Sequence, residues 1–584
     1  MVLLLGVALV AQAAIDRRPC QQIAAACRDA GFVQGGAADG SGLLVDCVEP
    51  ILQGTAQPRR ASKPLPRVDA QLVAACKAAD PGFGQSRTLR SESGEQRSRA
   101  RPPASRAAAQ STTPPTLEAP VWPQASRARG TGPNIVFILT DDLAWNLVQY
   151  MPHVLEMQKD GVTFANYFVT DSLCCPSRSS IFTGRYPHDT GVYRNVGQDG
   201  GYLAFVNRGN DRSTFATALS AAGYRTAMLG KYLNGYLPAK HPVAPGWTTW
   251  AVAGHAYSEF NYALNQDGKV VQYGRNATDY LTDVLARLGV RFIRQATDVP
   301  FLIEIATFAP HGPYTPAPRD TDKFPDLRAP RTLAFNAEPD ANAASWLSVH
   351  PALSDTDIAK IDGDFRKRAQ AVLAVDKMIG ELRAAVAAIG EENNTYFVFS
   401  SDNGYHMGEH RLMPGKMTAY DTDIRVPLVV TGPGIPAGIT VEEIVENIDL
   451  CPTFTELAGT ASPAAIDGRS LVPLLHGQKV ADWRTVALVE HRGPHNDPTD
   501  PDAPAVRSGN PTTYEAIRAL NSVYVEYADG EREYHDLAAD PYELHNSFKS
   551  LSNAEKSSLH TMLDAVKTCH DAKSCQAAEH RERR

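Results

Sequence analysis

Five short apolar runs after Gly132, separated by stretches of helical periodicity, confine this chain to one broad architecture. Residues 135–139, 226–229, 301–306, 396–399 and 426–430 are rich in β-branched or aromatic side chains and are flanked by polar or turn residues, so each is expected to be a strand. Between the third and fourth runs, Phe365, Ala369, Val372, Ile379, Leu382, Val386 and Ile389 recur at helical spacing and form one face of a long amphipathic helix. Strands alternating with such helices build an open α/β sandwich. In sheets of this kind ligands gather past the carboxyl ends of the strands, which is where chemistry is to be sought.

Those positions carry acids, lysine and histidine. The first run ends in Asp141-Asp142 and the fourth in Ser401-Asp402-Asn403-Gly404. Acid pairs after a strand are, taken singly, usually caps or turn formers. Here two strand ends deliver three carboxylates and an amide, an all-oxygen set that suits a hard divalent cation and not zinc. Lys231 follows the second run in Gly230-Lys231-Tyr232, and His311 follows the third in Pro310-His311-Gly312-Pro313. Lys416 lies in Pro414-Gly415-Lys416.

With 584 residues, 43% of them apolar, the chain can bury a large core and is expected to hold more than one domain. A formal charge of −8 argues against a general nucleic-acid binder. No apolar run approaches the roughly 18–20 residues of a membrane span. Residues 2–10 form a short apolar stretch followed by Ala11-Gln12-Ala13, the pattern of a secretory signal without its positive start. Residues 1–14 are therefore expected to be a leader, and the protein secreted or periplasmic. Of nine cysteines, Cys20, Cys27, Cys47 and Cys76 cluster early and Cys569 and Cys575 late, as disulfides would in an exported chain. Four cysteines allow three connectivities, and their irregular spacing without histidine speaks against zinc. Cys175 and Cys451 are expected to be buried free thiols.

Residues 15–84 hold a weak repeat, CQQIAAACRDAGF echoed by DAQLVAACKAADPGF, and are expected to form a Cys-stapled helical module. Residues 85–131, rich in Arg, Ser, Ala and Pro, have little to bury and are expected to be a disordered linker.

The residues from Cys174 to Arg185 read CCPSRSSIFTGR. They resemble the signature of the sulfatase family, C-x-P-S-R-x-x-x-[LI]-T-G-[RK], with one departure, Phe182 in place of leucine or isoleucine. The resemblance extends over residues 134–546 and is closest to the glucosamine-6-sulfatase branch, through GKYLNGY, YLTDVLA, SDNGYHMGEH, DIRVPLVVTGPGI and NIDLCPTFTELAG. It implies an alkaline-phosphatase-like α/β sandwich with a large central mixed sheet flanked by helices. Residues 132–475 would be the catalytic domain, and 476–584 a smaller α+β subdomain and tail.

For the site, the resemblance implies that Cys174 is oxidised by a formylglycine-generating enzyme to formylglycine, whose hydrated aldehyde offers a gem-diol oxygen as nucleophile. It implies calcium held by Asp141, Asp142, Cys174, Asp402 and Asn403. Arg178 would steady the diol, Lys231 and Lys416 would bind sulfate, and His311 would protonate the leaving oxygen. Many sulfatases carry a histidine where this chain has Leu233, so His406 and His410 are expected to supply contacts to diol or sulfate instead. The substrate would be a sulfated carbohydrate or an aryl sulfate, N-acetylglucosamine 6-sulfate foremost. Two other readings share these residues. One is a phosphodiesterase or phosphonate monoester hydrolase on the same fold; the other is an exported glycan-binding protein with an inert catalytic domain.

Overall fold

The computed structural model of the protein describes residues 18–32, 43–55, 57, 61–79, 132–295, 299–498, 500 and 502–580. The expected leader (1–14) and linker (85–131) lie outside them. Two compact units divide the chain, Met1–Glu118 and Ala119–Arg584.

In the first unit, helices Arg18–Asp29 and Ala70–Ala79 fall on the two copies of the repeat and pack on each other. Ile23, Phe32 and Val48 fill a small core around a Cys27–Cys47 disulfide. Cys76 is disulfide-bonded as well, and the side chain of Cys20 lies outside the described residues.

The second unit is built on a ten-stranded mixed sheet. Its strands are β1 (Asn134–Thr140), β2 (Val162–Phe168), β3 (Arg225–Lys231), β4 (Thr249–Ala253), β5 (Ala263–Gln266), β6 (Lys269–Gln272), β7 (Phe301–Ala306), β8 (Thr395–Ser401), β9 (Leu428–Thr431) and β10 (Ile439–Glu446). They lie in the order β10-β2-β9-β8-β1-β7-β3-β4-β5-β6. β1 is central and runs parallel to β7 and β8, so the carboxyl ends of all three open on one edge. Its unbroken apolar run follows from burial on both faces: Ile135, Phe137 and Leu139 enter one core, Val136 and Ile138 the other.

The expected long helix is Asp355–Ala388, started by a capping box in which the Ser354 hydroxyl accepts from the Asp357 N–H. It lays Phe365, Val372, Ile379, Leu382 and Val386 on the second core. Its first ten residues carry little apolar surface, so the periodicity shows only from Phe365 onward.

Four antiparallel strands make the C-terminal sheet: β11 (Val486–His491), β12 (Tyr514–Ala519), β13 (Ser522–Tyr527) and β14 (Arg532–Asp536). One face, with Val489, Ala516, Val523 and Val525, joins the first core of the catalytic body. The other, with Leu488, Ile517 and Tyr524, lies under helix Asn553–Val566, beyond which Cys569 and Cys575 are bonded. Cys175 and Cys451 are buried free thiols, as is Cys174. The architecture is the α/β sandwich with a small second sheet that the resemblance implies.

Candidate active site

Asp141 and Asp142 leave the end of β1, and Asp402 and Asn403 the end of neighbouring β8. The turn is fastened across the two strands, since Asp402 Oδ1 accepts from the Asp142 N–H at 3.2 Å and Ser401 Oγ accepts from the Leu143 N–H at 2.9 Å. Asp142 sits in the left-handed region, φ 63°, which a short polar side chain tolerates. Lys231 ends β3, and the residue before it must be glycine. Gly230 has φ +100°, and a Cβ there would lie 1.9 Å from the Ala306 carbonyl oxygen of β7.

Cys174 is the first residue of helix Cys174–Thr183, whose ten residues are all buried. No side chain caps this helix at its N-cap residue, but Asn195 Oδ1 accepts from the free Cys175 N–H at 2.9 Å. Phe182 points into a cluster of rings, 5.1 Å from Tyr232 and 5.8 Å from Phe215, and that aromatic pocket accounts for the departure from leucine or isoleucine.

Around Cys174 the charges pair one to one. Arg178 Nε lies 2.8 Å from Asp402, Lys231 Nζ 2.6 Å from Asp141 and Lys416 Nζ 2.7 Å from Asp142. Lys416 Nζ is also 2.9 Å from Cys174 Sγ, and that sulfur is 3.2 Å from Asp141 Oδ1. His311 Nε2 donates to Asp502, lies 3.6 Å from Asp142 Oδ2, and its Nδ1 meets the Gly312 carbonyl at 2.8 Å. The structure thus brings Asp141, Asp142, Cys174, Arg178, Lys231, His311, Asp402, Asn403 and Lys416 into one cluster. A cavity of about 340 Å³ opens over it, lined by Asp142, His311, Tyr314, Tyr405, Lys416 and Asp502 among others.

Burial would raise the carboxyl of Asp141, yet Lys231, His311, Arg178 and Lys416 hold it far below the carboxylate range. Burial would also discharge His311; Asp142, Asp502 and Asp141 outweigh it and raise the imidazole to about 9. Burial, joined by Asp141 and Asp502, pushes the Cys174 thiol well up, so the unmodified sulfur is a poor nucleophile here.

The donor set fits a hard cation. Asn403 gives its amide N–H to Asp142 Oδ1 at 2.7 Å, while its Oδ1 is buried without a partner. A carbonyl oxygen so placed beside three carboxylates is suited to complete an oxygen shell. Asp141, Asp142, Cys174 and His311 also bring ligand atoms within 4.8 Å of one another.

His406 and His410 are not brought to the cluster. His406 is held by Asp423 at 2.9 Å on one ring nitrogen and by the Ser508 carbonyl at 3.0 Å on the other. Its backbone pairs with Gly415 in both directions, bracing the turn that carries Lys416. His410 stacks on Tyr420 at 4.1 Å, and burial with its neighbours His535 and His406 drops its ring to about 3. Sequence proximity to Asp402 suggested both; past Asn403 the backbone is bonded instead to Asp423 and Thr422.

Four residues of the site went unread in the sequence. Arg368, on the apolar face of the long helix, donates to the carbonyls of Asp142 and Pro310 and so holds both strand-end loops. Its signal was there, a cation between Phe365 and Ala369. Asp502, Asn195 and Asn234 sit in loops without periodicity and had no such signal. Asp502 accepts from Asn195 at 2.9 Å and from Asn234 at 2.8 Å as well as from His311.

The Sulfatase family model matches residues 133–460, and the model described as N-sulphoglucosamine sulphohydrolase, C-terminal, matches residues 408–568. Human N-acetylglucosamine-6-sulfatase is 35% identical over 471 residues, 75% of this chain and 85% of that protein. An extracellular sulfatase of Drosophila melanogaster is 34% identical over 63% of this chain and 34% of its own length. A structure solved with its substrate D-glucosamine-2-N,6-O-disulfate superposes with a TM-score of 0.64 at 24% identity, over 78% of this chain and 100% of that one.

Proposed function

The chain belongs to the sulfatase family and is a sulfuric ester hydrolase, and from that premise we propose that it cleaves the sulfate ester of a sugar, N-acetylglucosamine 6-sulfate foremost. The single observation that carries the reading is Cys174 itself, set at the first turn of a buried helix with Lys416 and Asp141 on its sulfur. The named substrate rests on the 35% identity to the human N-acetylglucosamine-6-sulfatase.

Oxidised to formylglycine by a formylglycine-generating enzyme, Cys174 would supply a hydrated aldehyde oxygen as nucleophile. Calcium, held by Asp141, Asp142, Asp402, Asn403 and the modified Cys174, would polarise the sulfate oxygens. The remaining work falls to side chains. Lys231 and Lys416 bind the sulfate, their ammonium groups lying within 3 Å of Asp141, Asp142 and Cys174. Arg178 anchors Asp402 and, through the Lys231 carbonyl at 2.9 Å, the end of β3. His311 carries the proton that the leaving sugar oxygen needs.

An exported location agrees with the Cys27–Cys47 and Cys569–Cys575 disulfides. Among the described residues no helix is long and apolar enough to cross a membrane.

Mass spectrometry of the tryptic peptide containing Cys174 tests the reading: the aldehyde or its hydrate is expected at Cys174 and an unmodified thiol at Cys175. Cys174→Ala should then lose sulfate-ester hydrolysis with its fold intact, while Cys175→Ala, at a buried side chain in the first core, should retain it. An active Cys174 variant beside a dead Cys175 variant would sink the assignment.

A further inference from the structure

Four cations and four carboxylates pair off in the site, and the fourth pair differs from the others. Arg178, Lys231 and Lys416 pair with Asp402, Asp141 and Asp142, the carboxylates at the ends of β1 and β8. His311 pairs with Asp502, which comes from the loop between β11 and β12 and has no place in the proposed metal set.

Asp502 is buried, yet it borders the cavity beside His311 and Lys416. Its two oxygens are treated differently. Oδ2 accepts from Asn195 and Asn234, and Asn195 is itself locked to the backbone of Cys175, so this oxygen is fixed to the scaffold. Oδ1 accepts from His311 Nε2. The other ring nitrogen of His311 faces the Gly312 carbonyl, so Nε2 is the nitrogen that can deliver a proton to the leaving oxygen.

Delivery has a consequence for Asp502. When the Nε2 proton passes to the leaving oxygen, Asp502 Oδ1 loses its donor and faces the lone pair of a neutral imidazole. A buried carboxylate oxygen stripped of its hydrogen bond is costly, and the clamped Oδ2 prevents the group from turning away to water. We infer that Asp502 is a specificity-determining residue for this reaction: its Oδ1 takes a hydroxyl of the substrate ring as replacement donor, so that esters of a hydroxylated ring are selected, as through the 4-hydroxyl that lies nearest the 6-sulfate of N-acetylglucosamine. Esters without one leave the carboxylate unmet. A site built around a substrate hydroxyl rejects the analogue lacking it far more strongly than an apolar pocket rejects a changed shape.

The inference rests on the sulfatase reading above, and the experiment separates the two. Modified, metal-loaded protein is given N-acetylglucosamine 6-sulfate and cyclohexylmethyl sulfate; both release a primary alkoxide, so both need the same acid. Wild type is expected to favour the sugar ester in kcat/KM by a factor on the order of 10² or more. In Asp502→Ala that preference should fall at least about tenfold, chiefly through a gain on the hydroxyl-free ester. Asp502→Asn, which keeps the shape but turns the acceptor into a donor, is read the same way should the alanine variant fold poorly. A wild-type preference below about tenfold, or one that survives in both variants, overturns the inference. Cleavage of neither ester by wild type would bring down the underlying reading and the inference with it.

Discussion

His311 is a histidine whose every contact can be assigned, and its role can be tested by choosing the leaving group. A sugar alkoxide departs poorly without a proton, whereas nitrophenolate departs well, so loss of a general acid should fall unequally on the two. His311→Ala is expected to slow hydrolysis of a sugar sulfate by roughly two to four orders of magnitude and of nitrophenyl sulfate far less. Equal losses in kcat/KM would reduce His311 to a binding or packing residue. At this scale the sequence was informative where a residue lies at or a few positions past a strand end, because the end of a buried apolar run is visible and chemistry collects there. Asp141, Asp402, Lys231 and His311 were readable on that ground. Asp502 was not: its place depends on how the loop between β11 and β12 folds back, and no local pattern records that. His406 and His410 show the opposite error, in which nearness along the chain stood in for nearness in space.

Strands β1, β3, β7, β8 and β9 were legible from five apolar runs; β3, β7, β1 and β8 pair parallel in turn, while β9 pairs antiparallel with β8. The hairpin of β5 and β6 was overlooked although Asp267-Gly268, with φ of 50° and 88°, is a strong turn signal. Its strands are four residues each, too short for alternation to register. β10 was missed because its first half is exposed at the sheet edge and reads as polar. One element holds an anomaly that no run could show. Glu304 lies in the middle of β7 opposite Phe137 and Met228, with both carboxylate oxygens buried and unpartnered. Burial raises its carboxyl to about 8 from 4.5, with Arg178 opposing. The folded state therefore holds this proton more tightly than the unfolded chain, so the stability it confers is complete below about pH 4.5 and is lost as pH rises toward 8. Glu304→Gln, which mimics the protonated form, should match wild type near pH 4.5 and exceed it by on the order of a few kcal/mol at pH 8 to 9. Denaturant midpoints of both proteins across that range test this. A difference independent of pH would mean that the carboxyl ionises normally.

At the scale of the molecule, the candidate site is assembled from segments that only the complete second unit brings together. Arg484, buried between the sheets, pairs with Asp449, Glu446 and Glu579, and the Tyr186 hydroxyl lies 2.8 Å from both Glu446 and Glu579. The segment following the Cys174 helix is thereby tied to the last helix, while Asn195, Asn234 and His311 hold Asp502 at the site. Dependence on the whole fold extends to the cation. Asp142 and Asp402 are 260 residues apart, so an unfolded chain has no such oxygen shell, and a bound ion stabilises the folded state alone. Calcium at a hundredfold excess over its dissociation constant should add about 2.7 kcal/mol, and chelation should remove it together with activity. Zinc separates the donor sets. Unmodified protein still presents the Cys174 sulfur beside His311, a pairing zinc favours, whereas conversion to formylglycine removes that sulfur and leaves oxygens that favour calcium. Thermal unfolding of modified protein, with its metal removed and then restored as calcium or as zinc, should show the midpoint recovered by calcium. Recovery by zinc to the same midpoint or beyond would sink the calcium assignment and return the site to the phosphatase-like reading of the same fold.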